Sequence, residues 1–306
     1  MQDYRSDLSA FQIESHWRKT TPSTRRLLVI YAHPDDESFG NAGTIARYTS
    51  AGADVHYACA TRGEVGGVAP ELLNGYPDIA ALRSAELGRA AEALELTSYH
   101  FLGYRDSGMP DTPDNQHPQA LFGAPVAEVA ARITALIRVI QPQVVVTFGP
   151  YGGYGHPDHI AIHVAAMAAF DGAGDPHYCP DQLAAGLPIW RPRKLYYSTF
   201  HTRMLKVGLW VMRRLGKDPE KAGENGDVDF VRVLTEATPV TTTVKCGAFL
   251  EQKDRAWQAH RSQLGSMGML LQLPRVLRRP FTASESFTRV VPAPNGKPEH
   301  DLFAGI

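Results

Sequence analysis

Four short apolar runs, each followed by a stretch of helical periodicity, constrain this chain more than any other feature. Leu27 to Ala32 reads as a strand and Ser38 to Ala51 as a helix; Asp54 to Thr61 and Asp78 to Leu96 repeat the pair. Tyr99 to Gly103 precedes a helix over Val126 to Ile140, which Pro142 closes because proline lacks an N–H and clashes with the preceding turn. Val144 to Phe148 and Pro157 to Phe170 complete the series. Repeated strand–helix–strand units predict an α/β fold, Rossmann-like and doubly wound, with a mainly parallel sheet and C-terminal insertions. Its common strand order, 3-2-1-4-5, sets the first and fourth strands side by side, with ligands in the crevice at their carboxyl ends.

With 306 residues and 43% hydrophobic content the chain can bury a full core and is expected to form one domain. Residues 1–25 read as a polar extension, 27–200 as the core, 201–235 as a flap insertion and 236–306 as a C-terminal strand, helix and tail. The flap would hold an amphipathic helix over Met204 to Leu215, carrying Arg203, Lys206, Arg213 and Arg214, and a charged linker from Lys217 to Asp229. A late strand is expected over Thr238 to Val244 and a late helix over Gly247 to Leu264, before a tail from Pro274 rich in Arg and Pro.

Lys plus Arg number 31 against 32 Asp plus Glu, so net charge makes no case for nucleic acid or an anionic membrane surface, and a small-molecule partner is expected. No stretch of about 18 apolar residues occurs and residues 1–26 contain no apolar signal core, so neither a span nor export is expected. Cys59, Cys179 and Cys246 are an odd count without CxxC spacing, which argues against disulfides and a cysteine-built metal site and fits a reducing cytoplasm.

Two motifs sit where the fold would place a ligand. Ala32-His33-Pro34-Asp35-Asp36-Glu37 follows the first strand, and the turn can aim His33 and Asp36 at one point while Asp35 stays free for proton transfer. Gly149 to His159, containing Tyr154-Gly155-His156-Pro157-Asp158-His159, follows the fourth strand and offers a third ligand. His33, Asp36 and His159 would make the two-nitrogen, one-carboxylate set that holds a catalytic divalent ion and leaves a place for water. A donor such as Tyr154 and a protonated His156 would stabilise a tetrahedral oxyanion, each by ~2–4 kcal/mol if well aimed.

These motifs, with Thr61-Arg62-Gly63-Glu64, Arg83-Ser84-Ala85-Glu86-Leu87, Arg105-Asp106-Ser107-Gly108-Met109 and Ala259-His260-Arg261-Ser262-Gln263, resemble the LmbE-like or PIG-L family of metal-dependent de-N-acetylases. The resemblance covers about Leu27 to Phe170. It implies hydrolysis of an acetamide on an N-acetylglucosamine-containing small molecule, with His33, Asp36 and His159 on zinc and Asp35 as general base. It further implies His156 as proton donor to the amine or stabiliser of charge, and Tyr154 facing the oxyanion. Ferrous iron suits the ligand set as well as zinc. Arg62, Arg83 and Asp106 are expected either to contact sugar hydroxyls or to pair among themselves.

Duller readings stand beside these. Asp35 and Glu37 suit a helix N-terminus, Glu37 at even odds, and Asp158 suits helix capping or an outer partner to a ligand. His163, one turn after His159, is read as structural because three ligands are already present, and His260 as more often structural than functional. A non-catalytic metal- or nucleotide-binding protein of the same fold is the rival class, although HPDDESFG replaces the GxGxxG loop that cradles pyrophosphate; an amidase acting on a glucosamine-thiol conjugate is the other alternative. A serine hydrolase lacks its GxSxG elbow.

Overall fold

The computed structural model describes residues 8–18, 23–200, 202–222, 226, 228–265 and 271–306. Its strands are β1 (Glu14–Trp17), β2 (Arg26–Tyr31), β3 (Asp54–Cys59), β4 (Ser98–Phe101), β5 (Val144–Phe148), β6 (Lys194–Thr199), β7 (Thr242–Lys245) and β8 (Ser284–Val291). They form one sheet in the order β1-β4-β3-β2-β5-β6-β8-β7. The five inner strands β4-β3-β2-β5-β6 are parallel and realise the expected 3-2-1-4-5 order. Antiparallel strands extend the sheet at both edges.

Helices α1 (Asp36–Ser50), α2 (Ile79–Ala93), α3 (Val126–Ile140), α4 (Gly152–Gly155) and α5 (Pro157–Gly172) carry the core, followed by α6 (Pro180–Ala184), α7 (Thr202–Arg214), α8 (Phe230–Glu236), α9 (Leu250–Ala259) and a helix at Arg275–Thr282. Side chains alternate between the faces of a strand, and β2 shows the result. Leu28 and Ile30 enter one core with Ile133 and Ile137 of α3 and Ile162 of α5. Leu27, Val29 and Tyr31 enter another with Ile45 and Tyr48 of α1 and Leu87 of α2. Each such fully buried side chain contributes ~1.5–3 kcal/mol, so the continuously apolar β2 anchors both layers.

Local pattern misled in three places. The supposed tail contains a helix and β8, which inserts between β6 and β7 rather than trailing off. β1 lies within the segment read as a polar extension; its partly exposed residues pair with β4 at the sheet edge, where polar side chains are tolerated. The late helix ends at Ala259, not Leu264, because His260 (φ −86°, ψ 55°) leaves helical geometry before a tight turn over Arg261–Gln263. The flap expectation resolves into α7 and α8, with residues 223–225 and 227 of the charged linker outside the described residues. Cys59, Cys179 and Cys246 are all free.

Candidate metal-dependent active site

The chain leaves β2 through His33, Pro34 and Asp35 and enters α1 at Asp36, two residues earlier than the periodicity predicts. Asp35 has φ 121°, a region L residues rarely occupy, so the turn is strained there. Three bonds hold it. The Asp35 carbonyl accepts from the Ser38 and Phe39 amides at 2.9 and 2.8 Å, and its amide donates to Glu37 Oε2 at 3.0 Å. Asp36 Oδ2 in turn accepts the His33 amide at 2.8 Å, which folds the ligand-bearing residues back on each other.

After β5 the chain turns through α4 into α5. Gly152 sits at φ 63°, and a Cβ there would lie 2.5 Å from His159 Cβ, so glycine alone permits this approach. The approach lets His159 Nδ1 donate to the Gly152 carbonyl at 2.9 Å. Phe148, which sequence reasoning did not single out, stacks on the His159 ring with centroids 4.0 Å apart. His33 Nε2 faces Asp158 Oδ2 at 3.2 Å and Asp106 Oδ1 at 3.4 Å, so it carries the proton. Asp158 is held by the Ser107 amide at 2.9 Å and by the Ser107 hydroxyl, and Asp106 by the Gly108 amide at 2.9 Å. Asp158 therefore orients His33, while the N-terminus of α5 is capped by His156, whose Nδ1 accepts the Asp158 amide at 3.1 Å.

With His33 Nε2 and His159 Nδ1 directed to those partners, His33 Nδ1 and His159 Nε2 face each other at 3.1 Å; the Asp36 carboxylate lies 3.7 Å from the first and 3.5 Å from the second. Without a cation, a second proton on His33, which its carboxylate neighbours favour, bridges the two nitrogens; a divalent ion would take that proton's place among two nitrogens and a carboxylate. An ion ~2.0–2.2 Å from each of three ligands separates them by about 3.4 Å, so the donor set fits a divalent metal. His156 can also reach this cluster, although its Nδ1 accepts the Asp158 amide; His33 with Asp106 and Asp158 forms a second close group, in which His33 Nε2–H already faces both carboxylates.

Burial raises the Asp35 carboxyl to about 7 against the opposing pull of Arg83, with Asp36 adding to the rise. Burial likewise lifts Asp36, to about 6, although His33 opposes it. Burial disfavours charge on His33, yet Asp106, Asp158 and Asp36 outweigh it and raise its pKa. His156 is pushed down to about 2 by burial and by His33 and His159; it stands as a neutral ring with Nε2 protonated. Burial raises the Tyr154 phenol, keeping it a donor; its ring lies 4.9 Å from that of His159.

Of the three expected sugar contacts, Arg83 and Asp106 are brought to the cluster and Arg62 is not. Arg83 donates to the Pro34 carbonyl at 2.7 Å, to Asp35 Oδ2 at 3.0 Å and to the Gly63 carbonyl at 3.0 Å. Gly63, at φ 68°, leaves room for that guanidinium, which a Cβ would overlap. Arg62 instead pairs with Glu14 and Ser84 and lies over the Phe101 ring at the sheet edge. His163 Nδ1 donates to the Phe148 carbonyl at 2.8 Å, which gives that ring a structural partner. His260 is fully buried and its Nε2 bonds Glu37 Oε1 at 2.6 Å. Beside it the Ser262 amide donates to Glu86 at 2.8 Å and Gln263 to the Gly67 carbonyl at 3.1 Å, so the late motif braces two of the earlier ones and the loop after Glu64.

A cavity of about 460 Å³ opens on Asp36, Tyr154 and His159. Two imidazoles turned toward one carboxylate, next to an acid poised near neutrality, form a donor set that could hold a divalent cation of the kind hydrolytic enzymes use. Residues 28–170 match the family described as GlcNAc-PI de-N-acetylase, PIG-L. The chain is 39% identical to the 1D-myo-inositol 2-acetamido-2-deoxy-alpha-D-glucopyranoside deacetylase of Geodermatophilus obscurus, over 94% of this chain and 99% of that protein. It therefore belongs to the PIG-L, or LmbE-like, family of de-N-acetylases, hydrolases of N-acetyl amides. In fold it is similar to the N,N'-diacetylchitobiose deacetylase of Pyrococcus horikoshii (TM-score 0.61, 21% identity, 89% of this chain and 88% of that one). It is similar as well to a 4-carboxy-2-hydroxymuconate hydratase of Pseudomonas putida (TM-score 0.57, 20% identity, 88% and 97%), so the fold by itself does not specify the reaction.

Proposed function

We propose that this enzyme removes the acetyl group from an N-acetylglucosamine-containing small molecule, in the manner of the GlcNAc-inositol deacetylases to which it is similar. The single observation that carries the reading is the convergence of His33 Nδ1 and His159 Nε2 on one point beside the Asp36 carboxylate. These three residues would hold the cation, zinc or ferrous iron. When bound, it would polarise the amide carbonyl and lower the pKa of water toward neutrality.

The chain's own groups supply the rest. Asp35, near neutrality and braced by Arg83, takes a proton from the attacking water as its oxygen bonds the carbonyl carbon. His156 Nε2–H and the Tyr154 hydroxyl are the donors available to the oxyanion. As the C–N bond breaks, the proton held by Asp35 passes to the departing nitrogen, leaving acetate and a free amine. Because His156 is neutral, it serves as a hydrogen-bond donor rather than as a store of the proton. Asp106 and Asp158 fix the His33 tautomer.

The test is an assay for free amine and acetate on N-acetylglucosaminyl-inositol, N-acetylglucosaminyl-malate and a glucosamine-thiol conjugate, with zinc and with iron(II) under anaerobic conditions. Metal bound stoichiometrically without amine from any of these acetamides would sink the assignment.

A further inference from the structure

Helix α7 carries two apolar stripes, and the fold uses only one. Leu205, Leu209 and Met212 turn toward the body, Leu209 being 6% exposed. Val207, Val211 and Leu215, at spacings of four, form a separate stripe that is 57%, 40% and 70% exposed, with Trp210 at 59% beside it. A second exposed group, Val276, Leu277 and Phe281 at 75%, 59% and 59%, lies on the helix Arg275–Thr282. Each helix also contributes one residue, Leu205 and Phe281, to the wall of the catalytic cavity. Scattered exposed apolar residues need no explanation, but a concentration on two helices that share one cavity does.

The accompanying charge is of one sign. From Thr202 to Lys217 the chain has no acidic residue, while Lys206, Arg213, Arg214 and Lys217 are exposed; Asp218 and Glu220 come only beyond that run. Arg214 lies over the Trp210 ring at 5.1 Å. On the second helix Arg275 and Arg278 are engaged by Asp254, but Arg279 is exposed. The near-zero net charge of the whole chain thus conceals a local cationic rim.

We infer that this rim is a docking face for an anionic phospholipid bilayer, with α7 lying in the interface and the cavity mouth turned toward the lipid. Solvent-facing Val, Leu and Trp between lysines and arginines are what an interfacial helix needs: apolar groups to enter the headgroup boundary and cations to meet anionic lipid. Two-fold pairing of α7 with a second copy fits less well, since the helix offers no acidic residue to meet its own cations. The inference does not depend on which acetamide the enzyme hydrolyses.

The experiment is co-sedimentation of the full chain with vesicles of phosphatidylcholine, alone or mixed two to one with phosphatidylglycerol, at low and high salt. Binding to the mixed vesicles that weakens with salt is expected, and each of Arg213→Ser and Arg214→Ser should weaken it about fivefold. Trp210→Ser should also weaken it, with amine release from a soluble substrate unchanged, which shows that the variants fold. Absence of binding to the mixed vesicles at low salt overturns the inference. So does binding indifferent to all three substitutions, or a dimer in sedimentation that Trp210→Ser dissociates in protein with no affinity for vesicles.

Discussion

His33 Nδ1 and His159 Nε2 stand 3.1 Å apart, each ring having donated its other N–H away from its partner, to carboxylates in one case and to the Gly152 carbonyl in the other. Without a cation a second proton on His33 joins the pair; with one, both nitrogens and the Asp36 carboxylate are free to act as ligands. A chelator should therefore lower both activity and thermal stability, and adding zinc at a hundred times its dissociation constant should restore ~2.7 kcal/mol. Calorimetry with and without chelator reads this; an unchanged melting temperature would contradict the site. Gly152→Ala should weaken metal binding through the clash with His159.

Asp35 is the proposed base, and Asp35→Asn should keep metal content while lowering kcat by ~10²–10⁴. Metal analysis and amine release measured on the same sample decide it.

Arg83 pulls the Asp35 pKa down against burial. Removing that positive charge with Arg83→Met should raise the pKa, so the acid limb of the kcat/KM profile moves to higher pH. A limb that stays in place, or moves to lower pH, would assign the acid limb to another group.

Glu37 and His260 form a pair with both side chains fully buried, and Glu37 also holds the strained Asp35 amide. His260→Ala should destabilise the fold by ~3–5 kcal/mol, because it strands a buried carboxylate. His260→Gln, which retains a donor, should recover part of that loss in a denaturant titration.

His100 lies buried between the Ser15 and Ser98 hydroxyls, and burial, with His16, depresses its pKa to about 3. A histidine depressed in the folded state binds fewer protons there than in the unfolded chain, where it titrates near 6.5. Its contribution is complete above pH ~6.5 and falls by ~1.4 kcal/mol per unit as pH drops toward 3. His100→Asn should flatten that part of the stability profile relative to the parent.

The continuous apolar run of β2 and the helical stretches of α2, α3 and α5 were enough to read the parallel core, because burying both faces of a central strand demands an unbroken apolar run that is visible locally. Strand order then brought His33 and His159 together in the reading, as it does in the structure. β1 and β8 escaped notice for the converse reason: edge and antiparallel strands carry mixed polarity, and only their partners β4, β6 and β7 define them.

By itself the sequence determined which residue types reach the carboxyl end of the sheet, since HPDDE and HPDH directly follow or soon follow strands whose ends the fold gathers into one crevice. Only the tertiary structure decided what each does there. Arg83 turned out to brace Asp35 and Arg62 to pair with Glu14; His260 went to Glu37, and one stripe of α7 was left uncovered. Those outcomes depend on partners many residues distant, and charge, burial and protonation are properties of the assembled neighbourhood rather than of the residue.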